Sequence, residues 1–330
     1  MASPQGDRPL STRESRVVGA LLGVHAGDSL GATVEFESHS RIATRYPKGL
    51  RDIIGGGPFR WSAGHATDDT DMTRGVLLAY RDRSPADDVA RLAGDYFLKW
   101  YHGDWPDRQL GSQPADMGIA TAQGLDLYEE TGDPDRAGAG PGSAGNGSLM
   151  RCLPTGLFQP DHDTLITESI RISKITHDDP RCTVACAVYN TIVSELIEGA
   201  APANAIRSGT SVALRLENGK PGNVYKAVIM GTEVRVEDMA QSGPPPEMKG
   251  KASGYVLESL TIAIAAILDE RSLEDVLVDV VRIGNDTDTN AAVAGGLLGA
   301  RDGEAAIPDR WKTKLQFAKE FKEVALGLMK

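Results

Sequence analysis

Residues 11–35 read STRESRVVGALLGVHAGDSLGATVE, and the fold class follows from this stretch. Ser11-Thr12-Arg13-Glu14 has the spacing with which a serine hydroxyl and a glutamate carboxylate satisfy the free amides at a helix start. Val17, Leu21 and Val24 then follow at helical spacing. Gly19, Gly23, Gly27 and Gly31 recur every fourth residue, so one helix face carries no side chains and is open to close approach by a neighbouring backbone. Tight helix packing is the reading this spacing favours.

The same periodicity predicts helices over 72–83, 87–101, 117–130, 164–176, 181–198, 202–217, 255–268, 273–283, 290–301 and 311–328, while the period-2 alternation of strands is scarce. The chain therefore reads as all-α. Between the helices lie long Gly/Pro-rich segments at 49–64, 132–147 and 241–254, of the kind that in a compact domain carry function or move. Neither a solenoid-length repeat nor a linker between independent units stands out. The expected organisation is a flexible tail over 1–12 and one domain over 13–330.

With 330 residues, 41% of them hydrophobic, the chain can bury a substantial core. Its net charge of −11 argues against a general nucleic-acid surface or an anionic-membrane surface, either of which needs a basic patch. No apolar run approaches the roughly 20 residues of a membrane span. Met1 to Ser11 is polar and holds no signal-peptide core, so the expected location is the cytoplasm. Three cysteines make no disulfide framework, and Cys182 and Cys186, one helical turn apart, read as reduced core residues. His177 has no second ligand pair nearby with which to build a zinc site.

Two acidic clusters carry most of the chemistry: Thr67-Asp68-Asp69-Thr70-Asp71 and Asn285-Asp286-Thr287-Asp288-Thr289. Each runs into a helical stretch, and either alone is ordinary cap chemistry, because Asp and Thr satisfy helix-start amides and favour the dipole. The same recipe twice, with more acids than a cap requires, points to a shared binuclear Mg²⁺ or Mn²⁺ site, since adjacent carboxylates repel and hard cations prefer oxygen ligands. Asp71 reads as a solvated acid at a helix start. A third element, Gly27-Asp28-Ser29-Leu30-Gly31-Ala32-Thr33-Val34-Glu35, ends a helix in glycines and delivers two more acids. A fourth, Gly145-Asn146-Gly147-Ser148-Leu149-Met150-Arg151, is a glycine loop whose amides can approach an anion closely, although the strand–loop–helix context of a nucleotide fingerprint is missing around it.

Taken in order, these elements, with Asp116-Met117-Gly118, Thr176-His177 and Gly254-Tyr255-Val256, resemble the ADP-ribosylglycohydrolase family from about Val17 to Trp311. The resemblance implies a compact single-domain orthogonal bundle of helices, with two Mg²⁺ or Mn²⁺ ions in a cleft that cleaves the bond between ADP-ribose and an acceptor. On it, Thr67, Asp68, Asp69, Asp286, Asp288 and Thr289 match metal ligands. Glu35 matches an acid that contacts the catalytic water or a metal, and Asp116 a position linked to catalysis in arginine-directed members. Proton handling stays open between these two. Asn285 departs from the pattern where many relatives have glycine.

The implied ligand is ADP-ribose, with its pyrophosphate on the amides of Gly145, Asn146, Gly147, Ser148 and Leu149 and its distal ribose at the metals. His177 lines the cleft or is a satisfied structural residue, and Tyr255 stacks on the ligand or fills the core. Arg151 adds charge there or pairs with a carboxylate. The implied substrate is an ADP-ribosylated protein, most directly on arginine. Serine-linked or other small conjugates are the enzymatic alternative, and a non-catalytic crystallin-like member of the fold is the structural one. Asp116 also has a plain reading as a helix N-cap. Oligomeric state is not legible.

Overall fold

The computed structural model describes residues 9–330. Helix α1 (Thr12–Gly31) starts at the box read from the sequence: Ser11 Oγ accepts the Glu14 amide at 3.2 Å and Glu14 Oε2 accepts the Ser11 amide at 2.7 Å. The expected tail over 1–12 lies mostly outside the described residues, and its last two, Ser11 and Thr12, form the cap and first residue of α1.

Along the chain follow α2 (His39–Arg45), α3 (Asp68–Asp82), α4 (Val89–Tyr101), α5 (Ile119–Thr131), α6 (Leu153–Phe158), α7 (His162–Lys174) and α8 (Pro180–Ile197). The second half holds α9 (Pro202–Leu216), α10 (Asn223–Glu233), α11 (Val236–Ser242), α12 (Val256–Leu268), α13 (Leu273–Ile283), α14 (Thr287–Asp302), α15 (Asp309–Lys312) and α16 (Ala318–Leu328). Apart from one 3-10 turn at Glu304–Ala306, regular structure among the described residues is α-helical, joined by four isolated β-bridges. The all-α expectation holds. Among the described residues no helix is long and apolar enough to cross a membrane.

The centre of the bundle is the antiparallel pair α1 and α14. A Cβ added to Gly23 would lie 2.1 Å from the Gly295 carbonyl oxygen, one on Gly27 2.0 Å from that of Ala291, and one on Gly31 2.3 Å from that of Thr287. The glycine face predicted for α1 thus meets backbone along four turns, and Gly295 and Gly299 answer it from α14. Both helices are apolar around most of their circumference, as helices buried on all sides are. This pairing fixes the end of α1 against the start of α14.

The single helix expected over 311–328 is two, α15 and α16. The segment between them is held by other partners: the Gln316 amide donates to the Gly64 carbonyl at 3.0 Å, and the Phe317 amide to His25 Nε2 at 3.3 Å. The acid-bearing helices also start earlier than their apolar pattern, at Asp68 and Thr287, which puts the acids in the first turn.

Candidate functional site

Three segments converge because each helix end is tied to another. Asp28, near the end of α1, accepts on Oδ2 the amides of Thr67 at 3.1 Å and Thr70 at 3.3 Å together with the Thr70 hydroxyl, so a carboxylate from α1 caps α3. Thr67 caps the same helix in its own chain order: its Oγ1 accepts the Asp69 amide at 3.4 Å and donates to Asp69 Oδ2 at 3.2 Å. The Thr289 hydroxyl, on α14, donates to that same Asp69 oxygen at 3.3 Å. The two acidic clusters, far apart in sequence, therefore meet. The Thr287 hydroxyl, donating to the Gly31 carbonyl at 2.8 Å, fixes the start of α14 to the end of α1.

Glu35 and Asp116 join this group. One carboxylate oxygen each from Glu35, Asp116 and Asp288 lie within 4.8 Å of one another. Asp116 is not a cap: α5 begins at Ile119 with Gly118 as its N-cap and no side-chain cap bond. Asn285 has φ +64°, a left-handed conformation that asparagine tolerates better than most residues.

Burial and mutual repulsion make these acids harder to ionise. Burial, then Asp116, Asp286 and Asp28, push Glu35 up to about 9. Burial, then Asp286, push Asp116 up to about 6. Asp28 rises to about 7 through burial, against the hydrogen bonds from Thr70 and Thr67. Burial raises Asp68, Asp69 and Asp288 well above the carboxylate range, with neighbouring acids adding to it, and also raises Asp286. Among the described residues no lysine or arginine forms an ion pair with any of these seven acids. Asp28 Oδ1, Glu35 Oε2 and Asp69 Oδ1 are buried without a hydrogen-bond partner. Oxygen-only donors, excess negative charge and orphaned carboxylate oxygens fit hard divalent cations.

Glu35, Asp68, Asp116, Asp286 and Asp288 line a cleft of about 260 Å³ together with Gly145, Asn146, Gly147 and His177. Asn146 Nδ2 donates to Asp286 Oδ2 at 2.8 Å and to Ser259 Oγ at 3.0 Å, tying the glycine loop to the start of α14. A Cβ on Gly147 would stand 3.0 Å from His177 Cε1 and 3.2 Å from Thr121 Oγ1, so glycine keeps this cradle open. The amides of Gly147 and Ser148 make no hydrogen bond to any described residue.

Other parts of the expected loop face inward. The Asn146 amide is used by Gly254 O at 3.0 Å and the Leu149 amide by Asn146 O at 2.8 Å. Ser148 is buried, its hydroxyl accepting from Ser173 Oγ at 2.8 Å, and the Leu149 side chain is in the core. The loop thus leaves fewer free amides than the five residues read from the sequence. His177 does reach the cleft, as a buried neutral imidazole that burial holds down at about 3, with Nδ1 2.7 Å from Thr176 Oγ1. Tyr255 is half-buried beneath the Arg181 guanidinium, 5.7 Å from its ring centroid, and it is the neighbouring Gly254 that lines the cleft.

Arg151 forms no ion pair with a carboxylate among the described residues. It is fully buried over the Phe97 ring and braces the loop from beneath, donating to the Gly147 carbonyl at 3.0 Å and Thr176 Oγ1 at 2.7 Å. Asp71 is a correction: it is buried rather than solvated, accepting the indole N–H groups of Trp100 at 3.0 Å and Trp105 at 2.8 Å. The three cysteines are free and buried, as expected. Asp28 is the residue sequence reasoning undervalued. The signal was there, since a carboxylate in an otherwise apolar, glycine-faced helix must find donors.

A profile of the family described as ADP-ribosylglycohydrolase matches residues 9–330. The chain is 30% identical to the ADP-ribosyl-[dinitrogen reductase] glycohydrolase of Rhodospirillum rubrum, covering 92% of each chain. It is 28% identical to the ADP-ribosylarginine hydrolase Tri1 of Pseudomonas putida, over 95% of this chain and 77% of that one. A solved ADP-ribosylglycohydrolase-related protein complex superposes with a TM-score of 0.75 at 29% identity, covering 97% of this chain and 98% of the other.

Proposed function

Because the chain belongs to the ADP-ribosylglycohydrolase family, and so is an ADP-ribosyl glycohydrolase, we propose that it frees protein arginine from ADP-ribose with the help of two divalent cations, Mg²⁺ or Mn²⁺. The observation that carries this reading is the meeting of three acid-bearing segments, without a cationic partner, opposite a glycine loop. Thr67, Asp68, Asp69, Asp286, Asp288 and Thr289 would hold the cations. Such ions orient sugar hydroxyls and supply an acidified water at neutral pH.

The remaining work falls to the chain's own groups. Gly147 and Ser148 receive the pyrophosphate on their open amides, His177 borders it, and the distal ribose reaches the acids. Hydrolysis breaks the bond between the anomeric carbon and the guanidine nitrogen, joins the water oxygen to that carbon, and returns a proton to the leaving nitrogen. Glu35, otherwise pushed up to about 9, would be favoured in its ionised form by bound cations, and as a carboxylate it is placed to take the water's proton. Asp116, with no cap to make, holds the guanidinium by a charge-assisted contact. An oxocarbenium-like transition state gains from the surrounding negative charge. The name of one relative, the ADP-ribosylarginine hydrolase of Pseudomonas putida, supports arginine as the acceptor.

The test is turnover of arginine-linked and serine-linked ADP-ribose with Mg²⁺, with Mn²⁺ and after chelation, in the parent and in Asp116→Asn. Arginine-linked substrate should be preferred, chelation should abolish turnover, and the variant should lose turnover more than ADP-ribose affinity. A preference for the serine linkage would defeat the acceptor assignment, and full activity in chelator would defeat the metal assignment.

A further inference from the structure

Asp68 and Asp116 line two cavities, the cleft of the glycine loop and a second one of about 360 Å³ bordered by Trp61, His65, Asp107 and Arg108. That volume lies within the range of about 300–1,000 Å³ usual for ligand clefts. The two cavities share those two acids as a common wall, so a bond placed between them has one end in each.

We propose that this second cavity is the acceptor subsite, which takes the arginine side chain of the modified protein while ADP-ribose occupies the glycine-loop side; this rests on the arginine reading above. Its charge selects a cation. Four acids line it, Asp68, Asp71, Asp107 and Asp116, against one arginine. That arginine is turned away, Arg108 donating from Nη1 to the Trp100 carbonyl and from Nη2 to the Ser112 carbonyl, both at 2.6 Å. Asp71 is occupied by two indoles and Asp68 belongs to the proposed cation ligands, which leaves Asp107 and Asp116 for the acceptor. Asp107 is exposed, one oxygen accepting Gln316 Nε2 at 2.8 Å, and it stands at the solvent side where an arginine backbone would enter.

The cavity also has an aromatic wall. Trp61 and His65 stack with centroids 4.9 Å apart and planes 20° from parallel, and the Trp61 indole N–H is buried without an acceptor. A planar guanidinium, weakly hydrated and able to lie on aromatic faces, suits such a wall between carboxylates better than an ammonium or a neutral hydroxyl does.

The experiment measures agmatine, a guanidinium compound without ADP-ribose, binding to metal-replete protein saturated with ADP-ribose, by NMR titration. Parent protein is compared with Trp61→Ala and with Asp107→Asn, the latter keeping both the left-handed backbone at φ +60° and the bond to Gln316. Agmatine should bind the parent and weaken roughly three- to tenfold in each variant, with ADP-ribose affinity unchanged. Failure of agmatine to bind the parent, or equal binding to parent and Asp107→Asn, overturns the subsite. Turnover reports separately on the reaction. A parent that binds agmatine in this way yet hydrolyses only serine-linked substrate sinks the arginine reading, whereas arginine-directed turnover with agmatine indifferent to both variants sinks the subsite alone.

Discussion

Replacing Gly27 by alanine adds one methyl group where α1 and α14 touch backbone to backbone. The new Cβ would lie 2.0 Å from the Ala291 carbonyl oxygen, 2.4 Å from its carbon and 2.8 Å from the Ala292 nitrogen. Ordinary contact begins near 3.4 Å, so the helices must part locally by up to 1.4 Å (3.4 less 2.0). No side chain is available to rotate aside, which places the cost toward the upper end of the roughly 1–3 kcal/mol typical of overpacking. Alanine returns up to about 1 kcal/mol of helix propensity. The net loss is about 2 kcal/mol, a factor of roughly thirty in the folded-to-unfolded ratio. Turnover should suffer more, because Asp28 and Asp288 ride on the two helices being separated, and a misplacement of about 1 Å can cost on the order of 10² in rate. Urea unfolding followed by circular dichroism, with turnover measured on the same preparation, reads both. Gly327→Ala is the control: nothing lies within 4 Å of its added Cβ on α16, and it should be neutral or stabilising. If Gly27→Ala unfolds at the parental urea concentration and keeps full turnover, the helix pair does not set the site's geometry.

Asp288→Asn should abolish both turnover and the rise in melting temperature that Mg²⁺ produces, yet leave chelator-treated protein at least as stable as the parent, because one of several repelling acids is gone; a marked loss of stability in chelator would count against repulsion in the cleft. The chelated parent should also lose stability as pH rises. Glu35 moves from 4.5 to about 9 and Asp116 from 3.8 to about 6, so the folded state binds more protons than the unfolded one across roughly pH 4 to 9 and gives up stability through that window. Flat melting temperatures from pH 5 to 9 in chelator would contradict this. Gly147→Val should weaken ADP-ribose by filling the cradle beside His177 and Thr121 while Mg²⁺-dependent stabilisation persists, and calorimetry showing parental ADP-ribose affinity would remove the loop from ligand binding.

Long helices were legible because their apolar period repeats over several turns, as in α8, α9, α12 and α13. The short α2, α6 and α11 offer too few turns for a period, and α10 lies in a stretch without a strong cap, its N-cap Gly222 making no side-chain bond. The break between α15 and α16 depends on His25 and Gly64, partners that no local pattern reveals. The two acidic clusters stood out for holding more carboxylates than caps need, and the geometry does bring them together through Asp69 and Thr289. Asp71 went wrong for the opposite reason. Its donors are Trp100 and Trp105, on and beyond a different helix, so its burial is a fact of packing rather than of its neighbours in sequence.

The order in which the chain is made gives the α1–α14 pairing a temporal meaning. A polypeptide emerging from the ribosome presents Asp28 and Asp69 long before Asp288 exists, and the acids proposed to hold the cations come together only once α14 has been synthesised. A fragment ending before α14 would leave the glycine face of α1 bare and its acids without their opposite wall. On the proposed function, divalent-cation binding would double as a certificate of completion, and truncated products would lack both the grip on metal and the protection against proteolysis that binding would confer.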